Sequence, residues 1–239
     1  MVCSLAGATL HAQVMQSDNY KIESDSVNFG GARSTSSTYT LEDTLGEVGT
    51  GDSAAASYRL GAGYQHTLLN YLSLSASPDV VLSPAIGGLT GGTSNGSTTL
   101  TVVTDNAAGY QLMITASNSP AMQSATGVTI GNYVPSSADP DFTFAVPAGD
   151  ERFGYSPEGV DIATRFKDNG VACNSGSGDT TLACWDGLTT SAAEFARRVS
   201  GNHPNGTDTV LNFRVGLGAN AMIEEGIYYA TTTITALPL

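Results

Sequence analysis

The stretch Thr98-Thr99-Leu100-Thr101-Val102-Val103-Thr104, Asp105-Asn106-Ala107-Ala108-Gly109, Tyr110-Gln111-Leu112-Met113-Ile114 decides the fold class. Leu100 and Val102 recur at a period of two, as do Tyr110, Leu112 and Ile114, so each run presents one apolar face as a half-buried strand does. The Asp-Asn-Ala-Ala-Gly segment between them is turn chemistry. Two strands joined by a turn follow from these residues alone.

Outward from this stretch the same period returns. Leu72-Ser73-Leu74-Ser75 alternates, Val80-Val81-Leu82 follows Pro78, and further candidate strands are Phe142 to Val146, Thr209 to Leu217 and Ile227 to Thr235. The Gly87 to Ser97 stretch reads as a flexible or hairpin segment. Only one short helix suggests itself: Ser191 with Glu194 three residues later resembles a capping box before Phe195 and Val199, and Gly201-Asn202 stops it. Charge agrees with the strands. The 239 residues include 9 Lys+Arg and 22 Asp+Glu, a net charge of -13, and only 13% are charged. Long amphipathic helices need more charge on their outer faces than this. The expected fold is all-β, an antiparallel β-sandwich over residues 68–239.

Before the sandwich, residues 13–67 carry a repeat. Tyr20-Lys21-Ile22, Tyr39-Thr40-Leu41 and Tyr58-Arg59-Leu60 recur every 19 residues, separated by Gly-rich turns. Within each unit the Tyr and the Ile or Leu lie two apart and so on one face of a strand. Tyr20, Ile22, Tyr39, Leu41, Tyr58 and Leu60 are therefore the expected packing or assembly residues of a β-hairpin arm. The arm is too polar to form a full core and should pack on the sandwich or on another subunit.

Residues 1–12, MVCSLAGATLHA, are apolar and small, and read as the remnant of a secretory signal. No run approaches the roughly 20 apolar residues of a transmembrane helix. With Cys3 in the signal segment, Cys173 and Cys184 are left as the only other cysteines, with ten residues between them. A zinc site would want more ligands at short spacings, so a disulfide closing this loop is expected, with two reduced buried thiols as the alternative. A disulfide fits an oxidising, extracytoplasmic location. The acidic balance excludes a phosphate-binding footprint and hence nucleic acid as a partner.

Several motifs bear on chemistry. Gly92-Thr93-Ser94-Asn95-Gly96 has the letters of a nucleophile elbow, but lacks the strand-to-helix context that would expose the serine. His203 is the nominal base for Ser94, within a His-Pro-Asn-Gly turn. Acids are dense from Asp139 to Asp186, and Asp168-Asn169-Gly170 with Asp186-Gly187 would make the best oxygen cluster for calcium, against a reading as solvated turns. Trp185 either packs in the core beside the expected disulfide or, with Tyr155, faces solvent as a glycan-stacking platform.

The run Thr99 to Asp105 followed by Gly109-Tyr110-Gln111-Leu112, and the ending Gly226-Ile227-Tyr228-Tyr229 through Leu237, resemble the WxL cell-surface domain. Tyr110 stands where that family has its first signature Trp, and the second falls near Thr235 or Ala236. The resemblance implies an exported bacterial surface protein that attaches to cell wall. The expected function is a noncatalytic, secreted or surface-located structural subunit that associates with itself or other subunits by β-strand addition. The alternative is a module binding carbohydrate or cell-wall glycan. No cofactor is expected, with calcium at the acidic turns as the alternative.

Overall fold

The computed structural model describes residues 15–16, 21–22, 33–36, 38, 40–42, 51–55, 58–62, 71–76, 79–87 and 90–239. The chain divides into two units, Met1–Leu69 and Asn70–Leu239. Among the described residues of the first, six short strands form three antiparallel pairs. β1 (Met15–Gln16) pairs with β2 (Lys21–Ile22), β3 (Arg33–Thr35) with β4 (Thr40–Glu42), and β5 (Gly51–Ala55) with β6 (Tyr58–Ala62). The second strand of each pair carries the repeat. Residues 1–12 lie outside the described residues.

The second unit is an all-β, antiparallel sandwich. Its strands are β7 (Leu72–Ala76), β8 (Gly92–Thr104), β9 (Tyr110–Ala116), β10 (Met122–Ser124), β11 (Thr129–Ile130), β12 (Glu151–Glu158), β13 (Asp186–Gly187), β14 (Ala193–Arg198), β15 (Thr207–Leu217), β16 (Tyr228–Ala230) and β17 (Thr232–Pro238). One sheet has five strands in the order β13-β12-β15-β8-β7, and another has three, β14-β9-β17. A small third sheet orders β11-β10-β16. Leu100 and Val102 of β8 and Leu211, Phe213 and Val215 of β15 share one core with Tyr110, Leu112 and Ile114 of β9. The deciding stretch thus spans the sandwich: β8 and β9 do not pair as a hairpin but lie in different sheets, and their apolar faces belong to the same core.

Four local expectations are corrected. The Gly87 to Ser97 stretch is not flexible from Gly92 onward, since β8 runs through it and pairs with β15 from Gly92↔Leu217 to Val102↔Thr207. Weak strand propensity is overridden by that ladder. Gly96 is also needed there, because a Cβ would meet Val80 Cγ1 at 2.6 Å and the Val81 carbonyl at 2.9 Å. The segment Val80-Val81-Leu82 accordingly crosses this surface as a loop, tied by the Ser83–Asn95 bridge. Phe142 to Val146 is likewise a loop. The helix expected after Ser191 is strand β14, where a bulge between Glu194 and Ala196 accompanies the burial of both Phe195 and Ala196. Burying Phe195 against β9 outweighs the helical preference of Ala, Glu and Arg. The described residues contain no α-helix, only a single 3-10 turn at Thr164–Phe166, and no helix long and apolar enough to cross a membrane.

Candidate functional site

The outer face of the five-stranded sheet, away from the core, is capped by the loops 133–147 and 180–188. Gly154 of β12 and Gly216 of β15 leave the room this needs. A Cβ at Gly154 would approach Tyr133 Cβ to 2.8 Å, and one at Gly216 would approach Phe144 Cε1 to 2.9 Å. Phe144 fills that space, stacked on Tyr133 with ring centroids 4.5 Å apart and set edge-on to Trp185 at 5.2 Å. Between them and the sheet lies Arg214, its guanidinium carbon 4.3 Å from the Trp185 ring centroid and its Nε donating to Asn95 Oδ1 at 2.6 Å. Burial lowers the Arg214 pKa, and the ring faces supply cation-π attraction in compensation.

Asp141 pins this cap. Its backbone N–H donates to the Trp185 carbonyl at 3.0 Å and its carbonyl accepts from the Trp185 N–H at 2.7 Å. Its carboxylate accepts from the Tyr133 hydroxyl at 2.8 Å and the Ser136 hydroxyl at 2.6 Å. Burial opposes the charge, but hydrogen bonds from the Ser136 and Tyr133 hydroxyls and the Ser136 N–H outweigh it, so the Asp141 pKa falls. Tyr133 is pushed the other way, to about 12, first by burial and then by Asp141.

Beside the cap runs a shallow cleft of about 310 Å3, lined by Ser119, Asn132 to Pro135 and Asp186 to Thr190. Its lining is mostly apolar, with hydroxyls from Ser119, Thr189 and Thr190, the Asn132 amide, and Val134 exposed at the rim. Asp186 is engaged through Oδ2 with Arg165 and through Oδ1 with the Gly187 N–H. A second polar cluster is structural. The buried Tyr110 hydroxyl donates to Asp161 Oδ2 at 2.8 Å, and Arg198 meets Asp161 Oδ1 at 3.2 Å, tying β9, the 161 loop and β14 together.

The anticipated residues fall as follows. Cys173 and Cys184 form the disulfide, with Cα atoms 5.6 Å apart. Trp185 and Tyr155 are both fully buried, which corrects the glycan platform expected on them. Trp185 donates its indole N–H to the Leu182 carbonyl at 2.8 Å, and Tyr155 packs on Phe166 at 5.8 Å. Neither ring is available to stack on a sugar. Ser94 lies buried within β8, while the His203 N–H is bonded to Thr104 at the far end of that strand. Ten residues of strand separate Ser94 from Thr104, about 33 Å, so the pair makes no catalytic couple. Asp168 accepts from Gly170 N, Thr180 N and Thr180 Oγ1, each at 2.8 Å, which organises the disulfide loop. Among the described residues no three His, Cys, Asp or Glu side chains group as a metal site would require. Tyr20 and Tyr39 lie outside the described residues, and Ile22, Leu41, Tyr58 and Leu60 are placed on β2, β4 and β6 by backbone pairing alone.

Sequence reasoning missed Arg214, Tyr133, Phe144 and Asp141. The available signal was Gly216 inside the candidate strand Thr209 to Leu217, since a strand glycine marks close approach of another segment; strand β12, which holds Gly154, was itself not anticipated. The fold and its site define a disulfide-bonded all-β sandwich with a capped outer sheet face. No family model, curated protein or solved structure matches the chain. The residues that carry the WxL resemblance lie on β8, the following turn, β9, β16 and β17.

Proposed function

We propose that the chain is a noncatalytic, exported structural subunit that associates with other subunits by accepting a β-strand. The observation that carries this reading is the edge strand β17. It is hydrogen-bonded to β9 on one side, and its other side has no strand partner among the described residues. Native sheets protect such edges with charges, bulges, proline or very short strands. Here β14 has a bulge and carries Glu194, Arg197 and Arg198, and β13 and β11 have two residues each. By contrast, β17 is a charge-free Thr-Thr-Ile-Thr-Ala-Leu-Pro strand with proline only at its end. Export is supported by the disulfide, which persists in oxidising compartments.

The test is the size of the full chain across concentration, by light scattering and electron microscopy. Concentration-dependent multimers are expected, and deleting residues 13–67 should abolish them while the 70–239 unit stays folded. A strict monomer at high concentration overturns the reading. The cleft, whose mostly apolar lining carries the Asn132 amide and the Ser119, Thr189 and Thr190 hydroxyls, favours a second reading, a glycan-binding module. It predicts glycan affinity that Asn132→Ala weakens and the same deletion leaves intact.

A further inference from the structure

We infer that the outer face of the five-stranded sheet binds an acidic sugar, a uronate, through the guanidinium of Arg214. The inference rests on the glycan-binding reading for its class of ligand, and places that ligand on a different surface from the cleft. Of the five arginines in the Asn70–Leu239 unit, four meet a carboxylate: Arg152 with Asp150, Arg165 with Asp186, Arg197 with Glu194 and Arg198 with Asp161. Arg214 meets none among the described residues, in a chain with 22 Asp+Glu against 9 Lys+Arg. Its charge is opposed by burial and supported by no carboxylate. It is nevertheless held in place. Nε donates to Asn95 Oδ1, and the guanidinium carbon lies 4.3 Å from the Trp185 ring centroid and 5.6 Å from that of Phe144. Its two Nη groups donate to no group among the described residues, and neither is fully buried. A fork so fixed loses little freedom when it closes on a ligand.

The surroundings select the ligand. Arg214 lies opposite Asn95 in the β15–β8 pair, and the alternation along β8 brings Ser97 and Thr99 onto the same face. Both are exposed, and among the described residues neither hydroxyl has a hydrogen-bond partner. The acids of this face are engaged: Glu158 accepts from the Leu182 N–H and Asn212 Nδ2, and Asp208 from the Thr101 hydroxyl. Two parallel Nη–H groups match the two oxygens of a carboxylate. They also match phosphate, but a net charge of -13 repels a dianion more strongly than a monoanion. Peptide recognition wants apolar anchors set in pockets. Apart from the half-buried Val210, this strip offers hydroxyls and the Asn95 amide, which are partners for the hydroxyls of a sugar ring. A hexose carrying one carboxylate meets both demands. Trp185, fully buried, acts here only on the arginine.

The experiment titrates the full chain, at low salt, with oligogalacturonate, with a neutral galactose oligomer of equal length and with a glutamate-rich peptide, by isothermal calorimetry. Oligogalacturonate should bind tightest, and about tenfold more weakly to Arg214→Lys, which keeps the charge and loses the fork. Because Arg214 also supports the cap, the fluorescence of Trp185 and the melting of that variant are recorded beside a second variant outside the cap. Thr99→Ala should weaken uronate binding by about threefold, whereas Asn132→Ala, in the cleft, should leave it unchanged. Uronate affinity that neither Arg214→Lys nor Thr99→Ala alters overturns the site. Equal or tighter binding of the neutral oligomer or of the peptide overturns the ligand class. If neutral glycans bind in a manner sensitive to Asn132→Ala and uronates do not bind, this inference fails while the cleft reading stands. If no glycan binds, both fail.

Discussion

Strands β9 and β17 are neighbours paired from Ala116↔Thr232 to Tyr110↔Pro238, yet they live in different environments. Both alternate apolar and polar residues. In β9 the alternation is sharp, with every second residue buried, because β14 and β17 flank it and the five-stranded sheet covers it. In β17 the alternation runs only from half-buried to exposed. The difference follows the number of neighbouring strands, and it separates a residue at the centre of its sheet from one at the edge.

The sharpest way to break this comparison is by truncation. Leu112→Ala removes a fully buried side chain and should cost about 2–5 kcal/mol. Ile234→Ala on β17 should cost roughly 1 kcal/mol, since only part of its surface leaves water on folding. Chemical denaturation of the monomeric 70–239 unit measures both. Equal losses would mean that the β17 edge is as enclosed as β9.

These two strands also mark how far the sequence could be read. Period two identifies which face of a strand is apolar, so Leu100, Val102, Tyr110, Leu112 and Ile114 were legible as core. It carries no information about which strand lies alongside, so the edge position of β17 was not legible. The Cys173–Cys184 bond could be read because so few pairings exist. The course of β8 through Gly92 to Ser97 could not, because β15 supplies the order that those Gly, Ser and Asn residues lack by themselves. Trp185 was ambiguous for a related reason. An indole next to a cysteine looks the same in sequence whether a loop covers it or not, and the cover here comes from Phe144, which Gly154 and Gly216 admit.

The disulfide loop sharpens the comparison from another side, because it is held by a cross-link and a buried acid and not by flanking strands. Replacing Cys173 and Cys184 together by Ser should cost on the order of 3 kcal/mol, from the lost constraint on the unfolded chain. Differential scanning calorimetry would show it as a lower Tm, with no change under reducing conditions. Asp168 adds a pH dependence. Burial opposes its charge, but the hydrogen bonds from Thr180 and Gly170 hold its pKa below the ordinary 3.8. A carboxylate depressed in the folded state binds fewer protons than in the unfolded state. Its contribution is therefore complete above the unfolded value and is lost as pH falls through the folded one. Asp168→Asn should lower stability at neutral pH and flatten its decline below about pH 4, and Tm measured from pH 7 to pH 2 checks this.

The smallest effect on stability should come from Thr235→Lys. Thr235 is exposed on β17, opposite Met113 of β9, and surface substitutions of this kind usually change stability by no more than about 0.5 kcal/mol. A lysine on an edge strand is also a natural device against strand addition. The variant should therefore melt as the unmodified chain does while losing concentration-dependent association in light scattering. If its stability fell as far as that of Leu112→Ala, β17 would be enclosed within its own chain, and the contrast between centre and edge would not hold.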